Sequence, residues 1–223
     1  MIHKTLLQVN RNGAQFSGAQ ADLVKLRRHF ERNHFVRLPG FLSAELLKDL
    51  RKKIPRARFS RRVHKDIAVE LCMKDHDAFR LLWFLTNDFR LFQWIEAITG
   101  CEKIGCFTGR VYRMEGKGHH DDWHNDMTAN RMVAMSVNVS EKVYKGGHLM
   151  LRKIGKPSTA RIIRNTGFGD AILFHLSHEL EHRIMNITGP EAKTAYAGWF
   201  RSKPNFFASI KRLRKRKVKS RAR

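Results

Sequence analysis

The apolar positions of this chain change their period about halfway along its length. Between residues 19 and 33, Leu23, Leu26 and Phe30 recur at helical spacing with Arg and Lys between them, which predicts a helix burying one stripe. A short strand over residues 35–38 and a Pro39-Gly40 turn follow. Ser43 has the chemistry to cap a helix running to about Lys53, with Glu45 in its first turn. Residues 77–99 are dense in aliphatic and aromatic side chains at helical spacing, with Asn87-Asp88 as a break. Their rings are expected in a core rather than on a base-stacking surface. From Cys106 onward the segments shorten, and 107–114, 132–139, 148–152, 160–163, 171–174, 182–187 and 194–200 read as strands. Gly116, Gly118, Gly146-Gly147, Gly167, Gly169 and Gly189-Pro190 punctuate them. The pattern predicts an α+β protein, a β-sandwich or jelly roll with N-terminal helices packed on one sheet.

Length adds that one domain suffices. A chain of 223 residues with 42% hydrophobic content can bury a sizeable core. No repeat or low-complexity linker divides it, so a single domain over 1–205 is expected, with residues 1–100 mainly helical, a jelly-roll core over 101–202 and a basic tail over 206–223. No apolar run approaches a membrane span, and the first residues lack the apolar region and cleavage site of a signal peptide. Cys72, Cys101 and Cys106 are odd in number and scattered, which argues against a disulfide framework. A cytoplasmic protein is the expectation. Cys101 and Cys106 lack the second pair that a zinc site needs and read as packing or loop positions.

Charge bears on partners. Lys and Arg outnumber Asp and Glu by 44 to 20, a formal +24. The last thirteen residues carry nine basic groups and no acid, yet without them the balance is still +15. A second basic stretch runs from Lys48 to Lys65. Such a surface attracts anions, so an acidic or anionic substrate or partner is expected: a peptide, a carrier-bound small molecule or nucleic acid. A solvated basic surface without a partner is the plainer reading. Phe206, Ile210 and Leu213 stand at helical spacing ahead of the basic run, as in a short surface helix or a frayed terminus. Oligomeric state is not legible.

The candidate chemistry lies in Trp123-His124-Asn125-Asp126-Met127 and in His182. Two imidazoles and one carboxylate form the ligand set that holds a non-haem Fe(II) on one face and leaves the other open. On a strand, residues two apart share a side, so His124 and Asp126 can reach one metal while a distant strand supplies His182. Two motifs compete. His120-Asp121-Asp122 also has the His-x-Asp form, directly after the Gly116 to Gly118 loop. His178-Glu179-Leu180-Glu181-His182 matches the zinc-protease pattern H-E-x-x-H, which requires a helix in a stretch that reads as strand.

In order along the chain, Asn33 to Ser43, Arg110 to Met114, Trp123 to Met127, Gly146 to Arg152, Gly169 to Phe174, His182 to Ile187 and Lys193 to Phe200 resemble the successive pieces of the 2-oxoglutarate- and Fe(II)-dependent oxygenases. The likeness is to the prolyl-4-hydroxylase-like branch and spans roughly residues 30–202. It implies a double-stranded β-helix, a cupin-like jelly roll, and an iron held by His124, Asp126 and His182 as the catalytic residues. It also implies Fe(II), 2-oxoglutarate and O2 as the reaction's requirements, with ascorbate keeping the iron reduced. The expected activity is hydroxylation of a C–H bond of an unidentified substrate with release of succinate and CO2. The far carboxylate of 2-oxoglutarate needs a buried cation, and Lys193 stands where the family places Arg or Lys. The Gly189 to Lys193 stretch is longer than the commoner Gly-x-Arg, and Arg201 and Arg183 remain alternatives. Tyr112 and Thr194 are candidate hydrogen-bond donors to the same carboxylate. Residues 54–75 and 119–122 are where substrate contacts are expected. Two other readings stay open: a non-catalytic basic binding module on the same barrel, and the zinc protease.

Overall fold

Strand β13 (Lys193–Arg201) organises the molecule, because its two faces serve two different cores. Tyr196 and Phe200 point to one side, into a core shared with four helices. Lys193, Ala197 and Trp199 point to the other, into the barrel, as the two-residue period of a strand requires. The structure is a computed structural model, and it describes residues 5–116, 118–128 and 130–202. The basic tail 206–223 and the expected helix at 206–213 lie outside the described residues.

In chain order the elements are β1 (Leu7–Asn10), β2 (Gly13–Phe16), α1 (Gln20–Asn33), β3 (Phe35–Leu38), α2 (Ala44–Lys53), β4 (Phe59–His64), β5 (Ala68–Met73), α3 (Asp77–Leu85), α4 (Phe89–Thr99), β6 (Cys106–Met114), β7 (His120–His124) and β8 (Arg131–Asn138). Then come β9 (Leu149–Lys153), β10 (Lys156–Ile163), β11 (Ala171–His175), β12 (Leu180–Ile184) and β13. β1 and β2 form a separate hairpin. The other strands join in one antiparallel sheet of order β10-β9-β12-β7-β5-β6-β13-β8-β11-β3, with β4 paired to β5. The sheet curls on itself as a jelly roll, with the helices over one face.

The helices begin where their caps allow. Ser43 Oγ accepts from the Leu46 amide at 3.3 Å. The Asp88 carboxylate accepts from the Arg90 amide at 2.9 Å and separates α3 from α4 at the expected break. Leu46 and Leu50 of α2, Leu82 of α3, and Ile95 and Ile98 of α4 share one buried core with Phe107 and Val111 of β6 and Tyr196 and Phe200 of β13. Where Tyr196 reaches that core, its hydroxyl lies 2.8 Å from Thr86 Oγ1, which itself donates to the Leu82 carbonyl. The second core, inside the barrel, comprises Met114, Leu149, Leu151, Ile172, Phe174, Leu180 and Ile184.

Several expectations need correction. The first hundred residues hold all four helices, but also the unexpected strands β1, β2, β4 and β5. β4 and β5 form a hairpin whose burial does not alternate cleanly, so period alone did not reveal it. β7 ends at His124, and Asp126 sits beyond it in irregular backbone, so the two do not share a strand face. The H-E-x-x-H stretch contains no helix. Leu180–Ile184 is strand, which alternates sides, and exposed His178 is not gathered with His182 around any metal-sized space. This removes the zinc-protease reading.

Candidate active site

His182 is fixed first, on β12 between two neighbours, opposite Leu151 of β9 and His124 of β7. Its ring packs on Phe174 at 4.8 Å and on His124 at 4.3 Å between centroids. The β7–β12 register slips between His182 and Ile184, which face His124 and Asp121 respectively. This bulge re-aims the strand so that both Asp121 and His124 line the barrel. Strict alternation therefore misassigned this stretch: Asp121 reaches the cavity, whereas His120 and Asp122, expected at its mouth, are not in its wall.

Asp126 is brought to the histidines by a stitched loop. Asn125 donates to the carbonyls of Ser177 and Leu180 at 2.7 and 2.6 Å, and its own oxygen accepts from the Met127 amide at 2.7 Å. Asn125 thus ties the Asp126 segment to the start of β12, a role that its place between two candidate ligands could have suggested. The ligand atoms of His124, Asp126 and His182 all lie within 4.8 Å of one another, so the group can hold one metal ion. Among the described residues it is the only such group. His124 Nδ1 lies 2.7 Å from the Asp122 carbonyl and donates to it, which turns Nε2 inward. Asp126 Oδ2 lies 3.4 Å from His182 Nε2 and 3.8 Å from His124 Nε2.

Both oxygens of Asp126 are also held from behind. Trp199 Nε1 donates to Oδ2 at 2.7 Å, and Arg131 Nη1 donates to Oδ1 at 2.8 Å. The Arg131 guanidinium stacks over the Trp199 ring at 3.6 Å. Burial opposes the charge of Asp126, but the two imidazoles outweigh it and hold the carboxyl well below the usual carboxylate range. Burial likewise opposes protonation of His124. Asp126 and Asp121 prevail there and raise its pKa to about 9.

The cavity has a volume of about 360 Å3 and is walled by β5, β6, β7, β12 and β13. Lys193 lines it and is fully buried. Its ammonium donates to the Gly147 carbonyl at 2.7 Å, and burial pulls its pKa down to about 8, with Asp121 partly opposing. Among the described residues no carboxylate is paired with it. Tyr112 lines the same wall, and burial pushes its phenol well above the usual range. Thr194 does not line the cavity; its hydroxyl accepts from Arg113 Nε at 3.3 Å on the other side of the strand. Arg183 lies over Trp123 and Arg201 at the far end of β13, and neither is in the wall. The hairpin β4–β5 contributes Arg62, His64 and Ala68, so residues 54–75 do reach the cavity.

A family description of the 2OG-Fe(II) oxygenase superfamily matches residues 109–201, the stretch that contains His124, Asp126, His182 and Lys193. The matched stretch is the jelly-roll core of this chain. Oxygenases of this superfamily require Fe(II), 2-oxoglutarate and O2, and a site with two imidazoles, one carboxylate and a buried ammonium fits that requirement. A search of curated proteins found no match. Among solved structures, a 2OG-Fe(II) oxygenase-family oxidoreductase from Burkholderia pseudomallei superposes with a TM-score of 0.63 at 13% identity, covering 85% of this chain and 95% of its own. A Pseudomonas putida prolyl-4-hydroxylase gives 0.61 at 18% identity, with 81% and 99% covered. The α-ketoglutarate-dependent epimerase SnoN of nogalamycin biosynthesis gives 0.60 at 15% identity, with 82% and 83% covered. One fold thus hosts a hydroxylase and an epimerase, so the reaction of this chain has to be argued from its site. No helix among its described residues is long and apolar enough to cross a membrane.

Proposed function

We propose that His124, Asp126 and His182 hold Fe(II), that Lys193 receives the distal carboxylate of 2-oxoglutarate, and that the protein hydroxylates a C–H bond of its substrate. One observation carries this reading: a metal-sized group of two nitrogens and one oxygen shares a cavity with a buried ammonium that has no carboxylate partner among the described residues. When bound, iron and 2-oxoglutarate together supply the oxidising power, with succinate and CO2 released as O2 is consumed.

The chain's own residues have distinct tasks. Asp126, ionised and gripped by Trp199 and Arg131, presents a formed carboxylate whose orientation is set before metal arrives. His124 is oriented by the Asp122 carbonyl, and His182 by its place between β7 and β9. Lys193 offers a charge that burial leaves costly until an anion meets it, and the Tyr112 hydroxyl can donate to the same anion. Leu149, Ile172, Phe174 and Ile184 line the cavity and limit water around the reacting groups. Ascorbate is the reductant we assign for keeping the iron in its ferrous state. The free thiols Cys72, Cys101 and Cys106 suit a cytoplasmic setting.

The test is an anaerobic titration with Fe(II) and 2-oxoglutarate, followed by oxygen and measurement of succinate. Wild type should bind both and release succinate, while His124→Ala and Asp126→Ala should lose metal binding and turnover together. A wild-type protein that binds neither iron nor 2-oxoglutarate would refute the proposal.

A further inference from the structure

The two ends of the cavity differ in charge. Lys193 and Trp199 both face it from β13 but stand six residues apart, about 20 Å along the strand. The Lys193 end is deep, and Asp121 lies on that side, 3.2 Å from His124 Nδ1. The Trp199 end carries three guanidiniums, of Arg62, Arg110 and Arg131. Glu70 is the carboxylate that answers two of them: Arg110 Nε and Nη2 donate to it at 2.6 and 3.2 Å, and Arg62 Nη1 lies 3.8 Å away. Asp126 answers the third, but a bound metal claims the charge of Asp126. Once iron and 2-oxoglutarate are in place, three cations at this end share one committed anion.

Arg131 shows the deficit most directly. Its Nε is buried with no hydrogen-bond partner, and the guanidinium is held flat on Trp199. That nitrogen is closed off from the cavity, but Arg131 itself lines the wall, where the guanidinium's outer N–H groups can meet a ligand oxyanion. His64, in the same wall, is biased towards its neutral form by burial and by Arg62 and Arg110, which leaves it able to donate one hydrogen bond without adding charge.

We propose that this end of the cavity receives an oxyanion of the substrate, a carboxylate or phosphate group, held between Arg131 and Arg62, with the C–H bond to be oxidised between that group and the metal. The inference rests on the oxygenase reading above. A cavity of about 360 Å3 that must also admit 2-oxoglutarate has room for a small acid or for one acidic side chain.

The experiment uses the full-length protein loaded with Mn(II), which does not turn over, and saturated with 2-oxoglutarate. The readout is the paramagnetic relaxation of probe nuclei: 31P of inorganic phosphate, and protons of N-acetylglycine against its neutral amide. Enhancement for phosphate and N-acetylglycine but not for the amide is expected. It should weaken at least tenfold in Arg62→Gln, which touches no metal ligand, and vanish in Arg131→Gln. Equal enhancement for acid and amide, or anion enhancement unchanged in Arg62→Gln, overturns the proposal. Intact Mn(II) and 2-oxoglutarate binding with such a result sinks this inference alone, whereas absent binding sinks the oxygenase reading with it. A pentapeptide carrying a central aspartate, against the same peptide with asparagine, identifies the source. Aspartate-dependent enhancement assigns the oxyanion to a protein side chain, and enhancement confined to the small probes assigns it to a free acid.

Discussion

Replacing Lys193 with Met separates the roles of this residue in stability and in binding, because the two effects have opposite signs. Burial lowers the pKa of Lys193 from 10.5 to about 8, a displacement worth about 3 kcal/mol at 1.36 kcal/mol per pKa unit. The group is fully buried, so solvent screening does not reduce this figure. A lysine whose folded pKa lies below its unfolded value penalises the folded state. The penalty is complete below about pH 8 and disappears as pH rises towards 10.5. Lys193→Met removes it but also removes the hydrogen bond to the Gly147 carbonyl, whose loss costs about 1–2 kcal/mol. The ligand-free variant should therefore be about 1–2 kcal/mol more stable than wild type at pH 7, with the gain shrinking between pH 8 and 10.5. The same variant should bind 2-oxoglutarate about 100- to 5000-fold more weakly, since losing one partner of a buried ion pair costs about 3–5 kcal/mol. Urea unfolding of metal-free protein at pH 7 and 9.5, with calorimetric titration of 2-oxoglutarate into the metal-loaded form, measures both. A variant several kcal/mol less stable at pH 7, with 2-oxoglutarate affinity unchanged, would refute the reasoning and make Lys193 a structural cation.

Wild-type affinity for 2-oxoglutarate should be flat below about pH 8 and fall above it as the free protein loses the Lys193 proton; Lys193→Met should show no such break in a pH series of calorimetric titrations. Trp199→Phe keeps the ring under Arg131 but deletes the N–H that reaches Asp126 Oδ2, so metal affinity should fall about 10- to 100-fold with little change in melting temperature, as a Co(II) titration would show. Gly198→Ala would place a Cβ 2.1 Å from the Thr108 carbonyl oxygen and 2.4 Å from Gly109 Cα. These backbone atoms cannot rotate aside, so thermal unfolding should show a loss of about 3 kcal/mol, or roughly 6–12 °C.

What the sequence made legible follows from which physical signal each segment obeys. α1, α2, the break at Asp88 and most strands after Cys106 obey local rules, a periodic apolar stripe or a capping side chain, and they lie within a few residues of where those rules put them. The hairpin β4–β5 obeys a non-local one. β5 is held by β6 and β7, and its side chains serve the cavity rather than a single core face, so Arg62, His64 and Glu70 interrupt the alternation that would have announced it. The site divides in the same way. His124, Asp126 and His182 stood out by their ligand chemistry and Lys193 by the family resemblance, and all four line one cavity. Asp121 was not legible, because a bulge changes which side of β7 it faces; nor was Arg131, because its partner Trp199 lies 68 positions away. The residues that escaped are those whose roles depend on register and stacking between distant strands. Residues 54–75 were expected near a substrate, and Arg62 does line the cavity, but its joint claim with Arg110 on Glu70 depends on the same pairing between distant strands. On the proposed reading, specificity resides partly in contacts that local patterns do not encode, and the matched acid and amide probes examine those contacts directly.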